Sequence, residues 1–320
     1  LLRGTEPGAE DDFFALGGQS LKAVHLLSRI HRDLGVEVSL KDIFDHPTLE
    51  ALARVIERGA RGAAQPIPRV PPAPHHPLSS VQRRLWALEH LQGESSAYVM
   101  SGAVEIQGPL DPRALEATFQ ILLARHEVLR TAFVLVDAEP RQVVLPEVPF
   151  RLEHVDLSAA GSHEERRAAA HVRVAREAVT PFELTRGGLL RAVLLRLEPT
   201  THVFVLSLHH IVGDGGSHGV LLEEIATCYR ALCRGETPAL EPLELQYKDF
   251  ASWRDEALRG PSAQPHRDYW LERLGGELPV LELPTDRLRP AVASYRGEVH
   301  RLELDRTLTE GLYALCRQQG

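Results

Sequence analysis

The chain has 320 residues, 43% hydrophobic and 25% charged, with 24 Gly and 22 Pro, a length that suggests about two domains at roughly 150 residues each. Its 36 Lys and Arg against 44 Asp and Glu give a formal charge of −8, which lacks the basic footprint that neutralises nucleic-acid phosphates. Three cysteines cannot all pair, neither Cys228 and Cys233 nor distant Cys316 completes a four-ligand zinc set, and no apolar run approaches the ~18 residues of a membrane span. A reducing, cytoplasmic setting is expected. The chain begins at Leu1 without a signal-peptide pattern and stops at Gly320 straight after a helical pattern, so it reads as cut from something longer.

Residues 1–58 read as a loop followed by short helices. Leu21, Val24, Leu27 and Ile30 recur at helical spacing from Ser20, and Leu34-Gly35 supplies a stop. A brief second helix is predicted at Leu40 to Phe44, and a third after Pro47, with Leu49, Leu52, Val55 and Ile56 on one face. About 58 residues bury only a marginal core. Ahead of the first helix stands Asp11-Asp12-Phe13-Phe14-Ala15-Leu16-Gly17-Gly18-Gln19-Ser20-Leu21. Two glycines permit a tight turn, and Ser20 lands where helix N–H groups and the dipole favour a negative group on its hydroxyl. The plainer reading of Ser20 is an N-cap.

Residues 59–76, GARGAAQPIPRVPPAPHH, form a predicted linker with Pro66, Pro68, Pro71, Pro72 and Pro74. Polyproline-like chain over 65–76 reaches roughly 37 Å at ~3.1 Å per residue. Residues 77–320 mix helix and strand. Asp111-Pro112 is an N-cap and first-turn pair for a helix carrying Leu115, Phe119, Leu122 and Leu123. Leu129 to Val136 and Gln142 to Leu145 read as strands across a loop containing Pro140. Leu189 to Leu197 and His202 to Leu208 read as a hairpin of buried strands. Next comes His209-His210-Ile211-Val212-Gly213-Asp214-Gly215-Gly216, then a helix burying Leu221, Leu222, Ile225, Tyr229 and Leu232. A polar, glycine-rich loop where a core strand hands over to a helix is a common place for a site. His209, His210 and Asp214 offer three ligands, too few without a second cluster for a convincing metal site; a structural histidine at a strand end is the plain alternative.

The run Asp12-Phe13-Phe14 to Leu16-Gly17-Gly18-x-Ser20-Leu21 resembles the carrier (thiolation) domain of nonribosomal peptide synthetases. That resemblance implies a small all-α four-helix bundle, here without its first helix, whose Ser20 takes a covalent 4′-phosphopantetheine arm. The stretch His209-His210-x-x-x-Asp214-Gly215 resembles the HHxxxDG core of condensation domains, of the chloramphenicol acetyltransferase-like superfamily. Pro77 to Trp86, Arg125 to Phe133 and Tyr247 to Trp253 resemble the first, second and fourth signatures of that family, in order, and Leu281 to Gly297 resembles its passage into a second lobe.

The resemblance implies a partial peptidyl carrier domain over 1–58, the linker 59–76, and over 77–320 an α/β condensation domain with its N-lobe and the start of its C-lobe. His210 is the implied catalytic residue, and His209, Asp214 and Gly215 shape its loop. An arginine expected beyond Gly320 would hold Asp214, with Arg125 and Arg130 as local substitutes; ion pairing within the fold is their plainer role. The implied reaction forms an amide between a donor thioester and an acceptor amine, and the chain by itself is expected to be inactive. Implied partners are a phosphopantetheinyl transferase, upstream and downstream synthetase domains, and aminoacyl or peptidyl thioesters, with no nucleic acid, membrane or metal. Gln19 and Pro77-Leu78-Ser79 resemble the subtype that condenses an L-configured donor, and Gly216 stands where many relatives have Trp. An epimerisation-type domain and a non-catalytic carrier-docking unit are the alternatives.

Overall fold

The computed structural model describes residues 7–59, 67–92, 95–288, 290 and 300–319. The chain divides into two compact units, Leu1–Pro68 and Arg69–Gly320.

The described part of the first unit contains three helices, α1 (Ser20–Leu34), α2 (Leu40–Asp45) and α3 (Leu49–Arg58). Gly35 ends α1 in the left-handed conformation (φ 66°), its N–H bonding to His31 O. Ser39 and Asp42 form a capping box on α2, and the Thr48 side chain caps α3 by accepting from Ala51 N. Phe13, Ala23, Ile30, Ile43 and Leu52 make the core. The predicted inner faces shift slightly: Val24 is 44% and Leu49 54% exposed. Helical periodicity allows several stripes; the small Ala23 is the residue buried on this part of α1. The side chain of Leu21 lies outside the described residues.

The second unit runs β1 (His76–Pro77), α4 (Ser80–Gln92), β2 (Val99–Gln107), α5 (Pro112–Arg125), β3 (Thr131–Val136), β4 (Glu139–Val144), β5 (Glu153–Asp156), α6 (His163–Val179), β6 (Leu190–Glu198), β7 (Thr201–His209), α7 (Gly215–Cys233), α8 (Tyr247–Arg259), α9 (Gln264–Arg273) and α10 (Arg306–Gln319). One sheet has the order β2-β7-β6-β5 and a smaller one β1-β4-β3. In the larger sheet β6 and β7 form an antiparallel hairpin across Pro199-Thr200, β2 pairs along the whole of β7, and β5 joins β6 in parallel. Alternation along the strands supplies two apolar faces. Leu194, Phe204, Leu206 and Leu208 join Leu115, Phe119 and Leu122 of α5 and Leu221 of α7 in one core. Val193, Leu195 and Val205 meet Ala170 of α6 in another.

Several expectations change in detail. Leu129 and Arg130 belong to a 3₁₀ turn (Glu127–Arg130) rather than to the strand that follows. Pro140 lies inside β4, opposite Leu135, because Asp137 and Ala138 (φ 51° and 62°) close a two-residue hairpin. The other edge of β4 meets β1 only at Arg141 and Gln142, so Pro140 stands where no β1 partner is in register. Leu222, predicted inside, is 47% exposed. Residues 60–66 of the predicted linker lie outside the described residues. Its later part is tied to the second unit: Arg69 Nε donates to Glu244 O, Val70 N to Asp249 Oδ1 at 2.9 Å, and His76 and Pro77 form β1. No described helix is long and apolar enough to cross a membrane.

Candidate functional site

β7 ends at His209, opposite Val99 at the start of β2. The chain then turns: His210 N donates to Tyr98 O at 2.8 Å and Val212 N to His209 O at 3.0 Å. His209 is fully buried and its Nδ1 accepts from Ile211 N at 3.0 Å, with Nε2 3.8 Å from Glu89 Oε2. Burial, and secondarily the neighbouring His210, push its pKa down to about 4. His209 is therefore a neutral ring with its proton on Nε2. His210 is exposed, and its Nδ1 lies 2.8 Å from Gly213 O. Only a protonated Nδ1 can bond a carbonyl, so neutral His210 keeps its lone pair on Nε2.

Asp214 caps α7. Its Oδ1 accepts from Ser217 N and from Ser217 Oγ, both at 2.8 Å, while its own N–H donates to that Oγ at 3.1 Å. The backbone N–H of Ser217, then its hydroxyl and the charge of His210, hold the carboxyl below the usual carboxylate range. Arg125 and Arg130 take their plainer role, pairing within the fold: Arg125 Nε with Glu224 Oε1 at 3.0 Å, and Arg130 with Leu145 O and Glu127. Among the described residues Ser217, rather than a cation, holds the Asp214 carboxylate. Gly215 opens α7 with no atom near where a Cβ would sit, so local space alone does not require glycine there.

A cavity of about 340 Å³ adjoins the loop, with His210, Gly213 and Asp214 facing Gln82, His126 and Tyr247. Residues from all four sequence signatures thus meet at one place. Three polar clasps hold them. Ser79 Oγ and Tyr247 OH lie 3.0 Å apart, and Gln82 Oε1 accepts from Ser79 N at 3.1 Å while its Nε2 reaches Ile211 O at 3.4 Å. Gln246 accepts from Glu127 N and donates to Arg125 O, each at 3.0 Å. Buried Asp249 takes Gln246 N at 2.8 Å on one oxygen and Val70 N on the other. Gln82, His126 and Tyr247 were visible in the sequence as motif members without a role. Glu89 and Glu224 gave no signal, since their partners come from distant segments. Among the described residues no group of three His, Cys, Asp or Glu could hold a metal ion.

The second candidate lies in the first unit. Asp12 Oδ1 caps the turn by accepting from Phe14 N and Ala15 N at 2.7 and 2.9 Å, and Phe13 N donates to Pro47 O at 2.8 Å. Gly17 has φ +83°, and a Cβ on Gly18 would sit 2.4 Å from the Phe13 ring and carbonyl, so both glycines are needed for this turn. Gln19 takes the extended N-cap position and Ser20 is the first helical residue, not the cap. No acidic residue occupies the first turn of this 15-residue helix, and Lys22 Nζ bonds Gly17 O at 2.9 Å. The side chain of Ser20 lies outside the described residues; its backbone opens a helix whose first turn carries no carboxylate and holds Lys22, a setting that suits a phosphodiester.

Family comparison finds a "Condensation domain" over residues 73–320 and a "Phosphopantetheine attachment site" over residues 2–56. The chain is 40% identical over 317 residues to one of the linear gramicidin synthase proteins of Brevibacillus parabrevis, covering 97% of this chain and 4% of the relative. It is 37% identical over 321 residues to one of the plipastatin synthase proteins of Bacillus subtilis (strain 168), covering 100% and 12%. The chain thus spans a small part of these curated relatives. Among solved structures, an X-domain from teicoplanin biosynthesis in complex with OxyB matches with TM-score 0.64 and 32% identity over 72% of this chain and 50% of that one. The first condensation domain of the calcium-dependent antibiotic synthetase, with a substrate analogue, matches with TM-score 0.56 and 28% identity over 63% and 48%.

Proposed function

Since the chain belongs to the condensation-domain family, with a phosphopantetheine attachment domain ahead of it, we propose that it acts within a nonribosomal peptide synthetase in forming amide bonds. In this reading residues 1–58 are a peptidyl carrier of the four-helix-bundle type, 77–320 are part of the condensation domain, and of the linker 59–76 only the part before Arg69 is a tether. Ser20 is the attachment point, modified by a phosphopantetheinyl transferase, and neighbouring synthetase domains are the partners. The arm, when bound, supplies a thioester whose carbonyl carbon bonds to the incoming amine nitrogen while the C–S bond breaks and the thiol leaves with a proton.

His210 is the proposed catalytic residue. Its Nδ1 is fixed on Gly213 O, so Nε2 is the atom that accepts a proton from the amine. An α-amine has a reference pKa of ~7.7–8.0, and freeing it at pH 7 costs only about 1 kcal/mol. Holding amine and thioester in attack geometry supplies ~7–11 kcal/mol, against about 3–5 kcal/mol for general-base help. His210 therefore acts as much by orienting the amine and taking its proton late as by initial deprotonation. Asp214 and Gly215 start the helix that carries the loop, and buried His209 packs beneath it.

The observation that carries this reading is the meeting of four separate signatures around one cavity with His210 in its wall. In the intact synthetase, His210→Ala should slow amide formation by about 10²- to 10⁴-fold in a pH-sensitive way. A rate equal to uncatalysed aminolysis at every pH would refute positioning by the remaining site. For the carrier, intact mass after treatment with a phosphopantetheinyl transferase and coenzyme A should rise in wild type and stay unchanged in Ser20→Ala. The second reading is a unit that only docks carriers; the likeness to an X-domain solved in complex with OxyB is a likeness to a domain that binds another protein. This reading requires that His210→Ala leave amide formation untouched.

A further inference from the structure

A second imidazole lines the cavity with His210. His126 follows α5, its side chain 17% exposed, with Nε2 2.5 Å from Glu224 Oε2 on α7. The other oxygen of Glu224 accepts from Arg125 Nε at 3.0 Å, which fixes the carboxylate. A carboxylate only accepts, so Nε2 of His126 carries the hydrogen. In the neutral ring the lone pair then falls on Nδ1, which has no hydrogen-bond partner among the described residues. His210 has the opposite tautomer, with Nδ1–H on Gly213 O and the lone pair on Nε2.

Two imidazoles of fixed and opposite tautomer, both lining the cavity, therefore keep one acceptor nitrogen each. Two nearby donors are already engaged, Gln82 Nε2 by Ile211 O and Ser217 Oγ by Asp214, and the Tyr247 hydroxyl shares a hydrogen bond with Ser79 Oγ. No Lys or Arg lines the cavity, and Asp214 adds a carboxylate to its wall. A ligand group with two or more N–H donors and a tendency to positive charge suits this set; an anionic oxygen does not. At about 340 Å³ the cavity has room for an amino-acid-sized group.

We propose that His126, oriented by Glu224, is a further substrate-binding residue that holds the primary amine of the incoming aminoacyl group together with His210. This rests on the reading of the cavity as the place where the amine attacks. Glu224 acts only through His126 and is a positioning residue.

The alternative is a structural ion cluster tying α5 to α7, and two substitutions separate the two roles. His126→Gln places an amide N–H near the site of Nε2, keeping the Glu224 contact but losing the acceptor at Nδ1. His126→Asn keeps a polar group at Nδ1 and abandons Glu224. The 320-residue chain would be titrated at pH 8 with L-leucinamide and with N-acetyl-L-leucinamide, following the histidine ring resonances by NMR. In wild type, His126 should report the Nε2–H and His210 the Nδ1–H tautomer, and leucinamide should bind at least about tenfold more tightly than its acetylated form. His126→Gln should keep the wild-type unfolding midpoint and lose that preference, whereas His126→Asn should keep most of it.

Wild type that binds neither probe, or both equally, overturns the proposal, as does His126→Gln binding leucinamide like wild type. If amide formation by the intact synthetase still depends on His210 in that case, only the role of His126 has failed. If that dependence is absent as well, the reading of the site has failed.

Discussion

Adjacent histidines in this loop have opposite environments. His209 is buried and neutral, and an unfolded chain exposes the same ring with its ordinary value near 6.5. As pH falls from 6.5 towards 4 the unfolded state takes up a proton that the folded state refuses. Stability is therefore full above 6.5 and declines by about 3 kcal/mol by pH 4. Urea unfolding of wild type and His209→Gln at a series of pH values should show this slope in the first and a flatter profile in the second. Asp214 works in the opposite chemical sense with the same sign of pH dependence. Its lowered carboxyl stabilises above the ordinary carboxylate range, and the contribution is lost as pH falls through the depressed folded value. Asp214→Ala removes an N-cap and should cost about 1 kcal/mol at pH 7, with Asp214→Asn close to wild type, both measured by denaturant midpoint.

Individual elements depend on a few residues that join them. Gly18→Ala forces a methyl group into the Phe13 ring and carbonyl and should destabilise the first unit by about 1–3 kcal/mol. The same variant should lower the yield of arm attachment measured by intact mass, because the turn that delivers Ser20 to the start of α1 is displaced. Gly17→Ala meets no neighbour but keeps φ +83°, so a milder loss of about 1 kcal/mol is expected. In the second unit Asp249 satisfies two backbone N–H groups from separate segments. Asp249→Leu strands both and should cost about 2–5 kcal/mol by chemical denaturation. Much of this scale was legible in advance: Gly35 as a stop, Asp111-Pro112 as a start and the β6–β7 hairpin all follow from local backbone chemistry. Pro140 inside a strand was not, because it is tolerated only where β1 is too short to need it.

On the scale of the whole molecule, each unit closes its own core, a small one around Phe13, Ala23, Ile30, Ile43 and Leu52 and a much larger one around Phe119, Phe133 and Phe204. Calorimetry of the chain with and without residues 1–66 should show one large transition common to both and a weaker one lost on truncation. Apolar residues of α9 and α10, among them Trp270, Leu271 and Tyr313, stay exposed and add nothing to either core.

The make-up of the candidate sites, Ser20 on a glycine turn and His209-His210 before Asp214, is written in the linear chain, because turns, caps and strand ends obey local rules. It also carried the family resemblance, since ordered motifs survive in linear form. What surrounds His210 comes from long-range packing. The convergence of Gln82, His126 and Tyr247 and the pairing of His126 with Glu224 bring together side chains that are far apart in sequence. Local periodicity carries no information about such contacts; packing of α5 and α7 on the sheet creates them.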